Sequence, residues 1–405
     1  MKKISQYFRL TWYNIMNNKD YAFFCVLGTA LTFVFVSLIL QSIYVLTGNY
    51  PPMIYGDRTI SVRSLRDNTG ARLYIPASET SGFLGNFDGY EHAALLHTEG
   101  VTIASNKRLN PTTAGFVNSD FWEVYSFDFL EGRSFGEEDC INRKKLAVIT
   151  ESVSSTLFNT KNSVGKKLTL QDNEYEVCGV IKRYSFLAGP SSDNCEIFVP
   201  YVFNKFVPSG DASYAIHLLY PSNRPINQVK EEVHQAIMQY FGQQNKKIAV
   251  GQQNIKTFKE WRLSNLGGSG AIFAGGAAAI FLLLLIPAVN ILSLNIANAG
   301  NRAEEIAVRK TFGASRTASF LMIMLENLML IAVGTFIGVA LTVPAFNLIQ
   351  QNLLGDLVLV SQIDYRVVFT GIIPVMLLFS LMSGGLPAYF ISKRNIAQTL
   401  KGGSK

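Results

Sequence analysis

Polar and apolar residues fall along this chain in long blocks. Four stretches, residues 21–46, 271–294, 318–347 and 367–390, are almost free of charge. Each has the ~20-residue length that lets a helix cross the hydrocarbon core of a bilayer. The first is much longer than the ~7–15-residue apolar core of a signal peptide, and its end at Tyr44-Val45-Leu46 lacks a small-residue cleavage site, so it predicts an uncleaved span. The second sits in the charge-free window between Arg262 and Arg302. Pro287 predicts a kink there, and Gly275, Gly276 and the alanines at 277–279 offer a small surface for close helix packing. The third carries Glu326 in its first turns, and the fourth carries Pro374 and Pro387 before Lys393-Arg394.

Between the first two spans, residues 47–265 read as a separate α+β domain. Residues 144–150 (KKLAVIT) and 174–184 (EYEVCGVIKRY) have the Val, Ile and Tyr content of strands. Residues 151–158 predict a short helix with Val153 and Leu157 on one side. Residues 226–241 predict an amphipathic helix with Val229, Val233, Ile237 and Tyr240 inward. An extended segment at 246–251 follows, and then a helix over 253–266 leading to the membrane. The predicted fold class is an integral membrane α-helical protein with four transmembrane helices and an inserted α+β extracytoplasmic domain.

A polar bridge, residues 301–316 (NRAEEIAVRKTFGASR), separates the second and third spans. Its ionised side chains would each cost several kcal/mol in hydrocarbon, so the bridge belongs at a membrane surface. In helical register Glu305 precedes Arg309 by four residues, the favourable order for an exposed ion pair, and Ala303, Ile306 and Ala307 make a small apolar face. Gly313 is placed to end that helix and Ser315 to cap the next. A rigid charged corner results, and an ordinary well-made loop is the plainer reading of it. Glu326, one or two turns into its span, is a functional candidate by default or a snorkelling carboxylate close to the surface.

The formal net charge of +7 resolves once residues are sorted by side. Residues 1–20, the bridge and the tail 391–405 hold about 12 Lys/Arg against about 3 Asp/Glu, and the remainder sums to roughly −2. The basicity is therefore a positive-inside bias with both termini cytoplasmic, and it gives no case for nucleic-acid binding. Residues 1–20 read as an amphipathic helix on the inner surface or as a basic flank that orients the first span. Cys140, Cys178 and Cys195 cannot all pair and form no CxxC, so neither a disulfide framework nor a zinc site is indicated. His92, His97, His217 and His234 lack metal-ligand spacing. The run Val164-Gly165-Lys166-Lys167 lacks the glycine spacing and hydroxyl of a phosphate loop. No catalytic site, metal or cofactor is expected in this chain, and any ATP is expected to be bound by a partner.

The bridge and third span, RAEEIAVRKTFGASRTASFLMIMLENLMLIAVGTFIG, resemble the conserved core of FtsX-like permeases. The inserted domain, through VNSDFWEVYSFDFLEGRSFGEED, LAVITESVSSTLF and SVGKKLTLQDNEYEVCGVIK, resembles the periplasmic core of MacB-type transporters. The resemblance implies an ABC transporter permease of the mechanotransmission class in the inner membrane. It implies a porter-like part at 50–115 and 205–265 and an inserted part at 116–204. It also implies that Arg302, Glu305, Ile306, Arg309, Lys310 and Gly313 belong to a coupling helix, and that Glu326 matches a glutamate of the third span. MacB carries a fused ATPase, whereas about 20 residues precede the first span here, so a separate ATPase subunit is expected. A second permease copy or paralogue, membrane lipid, and a periplasmic membrane-fusion protein or hydrolase are the other expected partners. Export of a periplasmic or membrane substrate leads the functional readings. Regulation of a cell-wall hydrolase and release of lipoproteins are the alternatives, and a membrane-anchored enzyme is a weaker one.

Overall fold

The computed structural model describes residues 19–62, 79–105, 108–160, 162–170, 173–191, 194–204, 214–244, 255–297, 315–350 and 362–385, with a few isolated positions besides. Two compact units divide the chain: residues 44–272 with 355–361, and the remainder. The helices used below are α1 (Lys19–Thr47), α2 (Ile226–Gln243), α3 (Phe258–Asn265), α4 (Ser269–Ala297), α5 (Arg316–Ile349) and α6 (Tyr365–Ser380). Four spans, α1, α4, α5 and Tyr365–Gly385 (α6 with the turn that follows it), are long and apolar enough to cross a membrane.

The unit built on residues 44–272 is organised by a ten-stranded sheet. Its strands are β1 (Thr59–Val62), β2 (His92–Ser105), β3 (Arg108–Val117), β4 (Phe129–Gly132), β5 (Leu146–Thr150), β6 (Lys167–Leu170), β7 (Asn173–Ile181), β8 (Ile197–Pro200), β9 (Ala215–Leu219) and β10 (Lys256–Thr257). They run in the order β10-β1-β9-β2-β3-β8-β5-β7-β4, with β6 also on β7. One parallel pairing joins the two halves, β3 to β8, from Ala114 opposite Ile197 to Val117 opposite Pro200. Strands β5 and β8 are central and buried on both faces, which is why their sequences read LAVIT and IFVP rather than alternating.

Helix α2 packs on the β1–β9–β2 half through Val229, Val233, Ile237 and Phe241, each at most 1% exposed. Full burial of each such side chain is worth about 1.5–3 kcal/mol. The four-residue step from Ile237 leads to Phe241, so Tyr240, expected inward, instead stands at the edge and donates its hydroxyl to Glu79 at 2.8 Å. The helix expected over 253–266 begins only at Phe258. Lys256 and Thr257 pair with β1, and Thr257 forms a capping box with Glu260, the two side chain–backbone bonds measuring 3.1 and 3.0 Å. The extended segment expected at 246–251 lies outside the described residues.

One buried carboxylate ties down the 132–144 segment, on the short helix Glu137–Ile141. Asp139 accepts hydrogen bonds from Arg133 and Lys144, each at 2.8 Å, and from the Gly136 amide at 3.1 Å. The guanidinium and ammonium hold its carboxyl well below the usual carboxylate range.

In the remaining unit, each of the other three spans presents a glycine to α1. A Cβ on Gly334 of α5 would stand 2.7 Å from Thr29 Cβ, and one on Gly338 would stand 2.5 Å from the Ala30 carbonyl oxygen. One on Gly371 of α6 would stand 2.9 Å from Leu40 Cδ1, and Gly276 of α4 abuts Ile43. Gly275, its neighbour, has open space beside it, so only one residue of that pair serves the contact. Gln41, fully buried on α1, donates to the Gln362 carbonyl at 3.3 Å and accepts from the Asp364 amide at 3.2 Å.

Two outcomes follow. Because the Asp139 carboxyl is depressed by folding, its stabilisation is complete above the unfolded carboxylate pKa of about 4 and is lost as pH falls below it. Asp139→Asn is therefore expected to cost about 2 kcal/mol at neutral pH and to flatten the acid limb of a denaturation–pH profile. Gly338→Val is expected to cost about 1–3 kcal/mol through overpacking against α1, while Gly275→Val leaves the thermal midpoint of the detergent-solubilised protein unchanged.

Candidate functional site: the bridge and the span that follows it

The bridge enters and leaves through ordered helices. Helix α4 runs to Ala297, and α5 starts at Arg316. Ser315 caps α5, its Oγ accepting from the Ala318 amide at 3.1 Å while Ser319 donates back to the Ser315 carbonyl at 3.2 Å. Arg302, Glu305, Ile306, Arg309, Lys310 and Gly313 lie outside the described residues.

Glu326 lies in the third turn of α5 and is 6% exposed, so the bundle covers it. Its neighbour Asn327 is 3% exposed and is a polar feature that the sequence reading missed. The Asn327 amide nitrogen donates to Ser383 Oγ at 3.0 Å and to the Ser380 carbonyl at 3.3 Å. Ser383 in turn donates to the Phe379 carbonyl at 2.8 Å.

The acceptors lie where the fourth span changes pitch. The stretch expected to run as one helix over 367–390 is α-helical from Tyr365 to Ser380 and then takes a π turn from Leu381 to Gly385. A Cβ at Gly384 would lie 2.8 Å from Asn327 Cγ, so only glycine admits the amide there. A signal was present in the sequence: Asn327 beside Glu326 in an otherwise apolar run, facing a Ser-Gly-Gly triplet in another span.

The remaining candidates are structural. His217 is fully buried, its ring 5.9 Å from that of Tyr125 and 5.3 Å from that of Phe258. Cys140, Cys178 and Cys195 are free thiols. Burial pushes Cys140 up to about 11 and Cys178 up to about 12, which leaves both inert as nucleophiles. Among the described residues, no group of three or more His, Cys, Asp and Glu could hold a metal ion.

Four membrane spans with a sheet domain inserted between the first and second define a multi-pass membrane protein of the permease class. The MacB-like periplasmic core domain family matches residues 22–236, and the FtsX-like permease C-terminal family matches residues 277–396. The first match covers more than half the chain, which therefore belongs to the family of ABC transporter permeases with a MacB-like periplasmic core. It is 26% identical to the uncharacterized ABC transporter permease MJ1507 of Methanocaldococcus jannaschii over 71% of this chain and 69% of that protein. It is 22% identical to the uncharacterized ABC transporter permease YknZ of Bacillus subtilis over 82% of this chain and 81% of that one. It is also 22% identical to the macrolide export ATP-binding/permease protein MacB of Rhodopirellula baltica, over 61% of this chain and 40% of that protein.

If Asn327 and Gly384 set the approach of α5 to the fourth span, Gly384→Val should cost about 1–3 kcal/mol. Gly385→Val, at a position with open space, should cost little beyond local propensity. The thermal midpoints of the two variants in detergent check the contrast.

Proposed function

We propose that this chain is the permease subunit through which a separate cytoplasmic ATPase moves an extracytoplasmic domain to export a periplasmic or membrane substrate. The observation that carries the reading is the bridge, where Arg302, Glu304, Glu305, Arg309, Lys310 and Arg316 are concentrated between two apolar spans. Such a segment cannot lie in lipid, and the positive-inside bias puts it in the cytoplasm with both termini. The sheet domain then lies outside the inner membrane. The bridge is a mechanical input: a partner that closes on ATP pushes on residues 301–316, and α4 and α5 carry the displacement.

Export as the direction of work is taken from the relative named as a macrolide exporter. A second permease copy or a paralogue completes the membrane unit. Helix α4 supports this, since among the described residues only 17% of its most apolar window is buried, against 39% for α1 and α5. Lipid or a partner helix must take that face.

Co-purification of the full chain with a co-expressed ABC ATPase subunit, followed by measurement of hydrolysis, tests the reading. Glu305→Lys combined with Arg309→Glu is expected to lower recovery of the ATPase at least about tenfold, about 1.4 kcal/mol in binding. Wild-type recovery and function in that double variant would overturn the coupling role.

A further inference from the structure

Arg262 is a buried cation in the sheet domain. It is 6% exposed, and its Nε and Nη1 have no hydrogen-bond partner among the described residues. Its guanidinium lies 5.9 Å from the Phe258 ring centre, and burial draws its pKa down to about 10, so it remains charged at neutral pH. An isolated buried charge is costly, and a well-packed apolar side chain of similar volume is often as stable or more so. Stability alone therefore gives no account of an arginine here.

Its one satisfied nitrogen shows what the residue does. Nη2 donates to the Leu46 carbonyl at 3.1 Å and to the Gly48 carbonyl at 3.2 Å. Those carbonyls end α1, which has no basic residue in its own last turn. The cation that caps the outer end of the first span thus comes from α3, more than 200 residues later.

Helix α3 is fixed on two further sides. Glu260, braced by the Thr257 capping box, pairs with Lys230 of α2 at 2.6 Å, and the Lys259 amide donates to the Gly56 carbonyl at 2.9 Å. At the other end Gly267 and Gly268, with φ of +87° and +91°, turn the chain. The Gly268 amide closes on the Leu263 carbonyl at 2.8 Å, a Schellman ending, and α4 starts at the next residue. Only glycine takes two successive left-handed positions without strain. One short helix therefore holds the end of α1, the sheet domain's long helix and the start of α4.

We propose that Arg262 is a positioning residue that couples α1 to α3, so that axial movement of the first span is passed to α2 and the sheet instead of being lost in the 48–58 loop. This rests on the reading that an ATPase drives the protein. A guanidinium suits the task because one nitrogen holds two carbonyls in fixed directions, whereas an ammonium is a flexible point charge.

The test uses the full chain assembled with its ATPase in nanodiscs, comparing hydrogen exchange of residues 256–265 with and without vanadate-trapped nucleotide. In the wild-type protein a nucleotide-dependent shift is expected at these amides. In R262M the thermal midpoint and hydrolysis rate are expected to stay near wild type while the shift falls about fivefold or more, the scale of a typical coupling free energy. R262K is expected to keep an intermediate shift, and it carries the test alone if R262M fails to accumulate. A shift undiminished in R262M, or in R262K where that variant stands alone, overturns the role of Arg262 and leaves the motor reading intact. Absence of any shift in the wild-type complex overturns the motor reading and the coupling with it.

Discussion

The membrane unit depends on close backbone approach to α1. Lipid tails are as apolar as leucine, so burying leucine against leucine gains little there, and association must come from packing without gaps and from polar contacts. The chain meets this with glycines where α4, α5 and α6 touch α1: Gly276, the pair Gly334 and Gly338, and Gly371. Gly334 and Gly338 form a Gly-x-x-x-Gly pair whose missing side chains let α5 reach the carbonyls of Val26 and Ala30. Gln41 adds one polar tie, satisfied at both its nitrogen and its oxygen, which matters because a stranded amide in hydrocarbon would be expensive. The first span is therefore the one that the other three all approach through glycine among the described residues.

The sheet domain solves a different problem with different means. Water provides a hydrophobic driving force, so α2 is held by Val229, Val233, Ile237 and Phe241 rather than by small residues. The β3–β8 pairing makes one continuous sheet of two halves that come from separate stretches of sequence, residues 59–117 with 215–257 and residues 129–200. A sheet of this kind transmits load as a unit, because shearing one half against the other would rupture a ladder of backbone hydrogen bonds.

Much of this architecture was legible in the sequence, and the failures have physical causes. The four spans stood out because hydrocarbon thickness sets a length that chance rarely supplies. The strand of β5 and the inward face of α2 followed from composition and period. The last inward position on α2 slipped from Phe241 to Tyr240 because both residues are aromatic and only the exact angle separates them. The start of α3 was placed too early, since the pairing of Lys256 and Thr257 with β1 is a long-range fact that local propensity does not contain. Arg262 and Asn327 were missed for the same reason. Each is ordinary as a residue type, and its meaning comes from a partner 214 or 56 positions away.

Asn327 and the π turn show how such a pair can shape a span. A π turn widens the helix by one residue and lets the backbone depart from the regular ladder, which in lipid must be compensated by another donor or acceptor. Here the compensation is mutual. The Asn327 amide meets the Ser380 carbonyl and the Ser383 hydroxyl, and Gly384 leaves the space the amide occupies. The fourth span is thus pinned to α5 at the point where its own helix leaves the α-helical pitch.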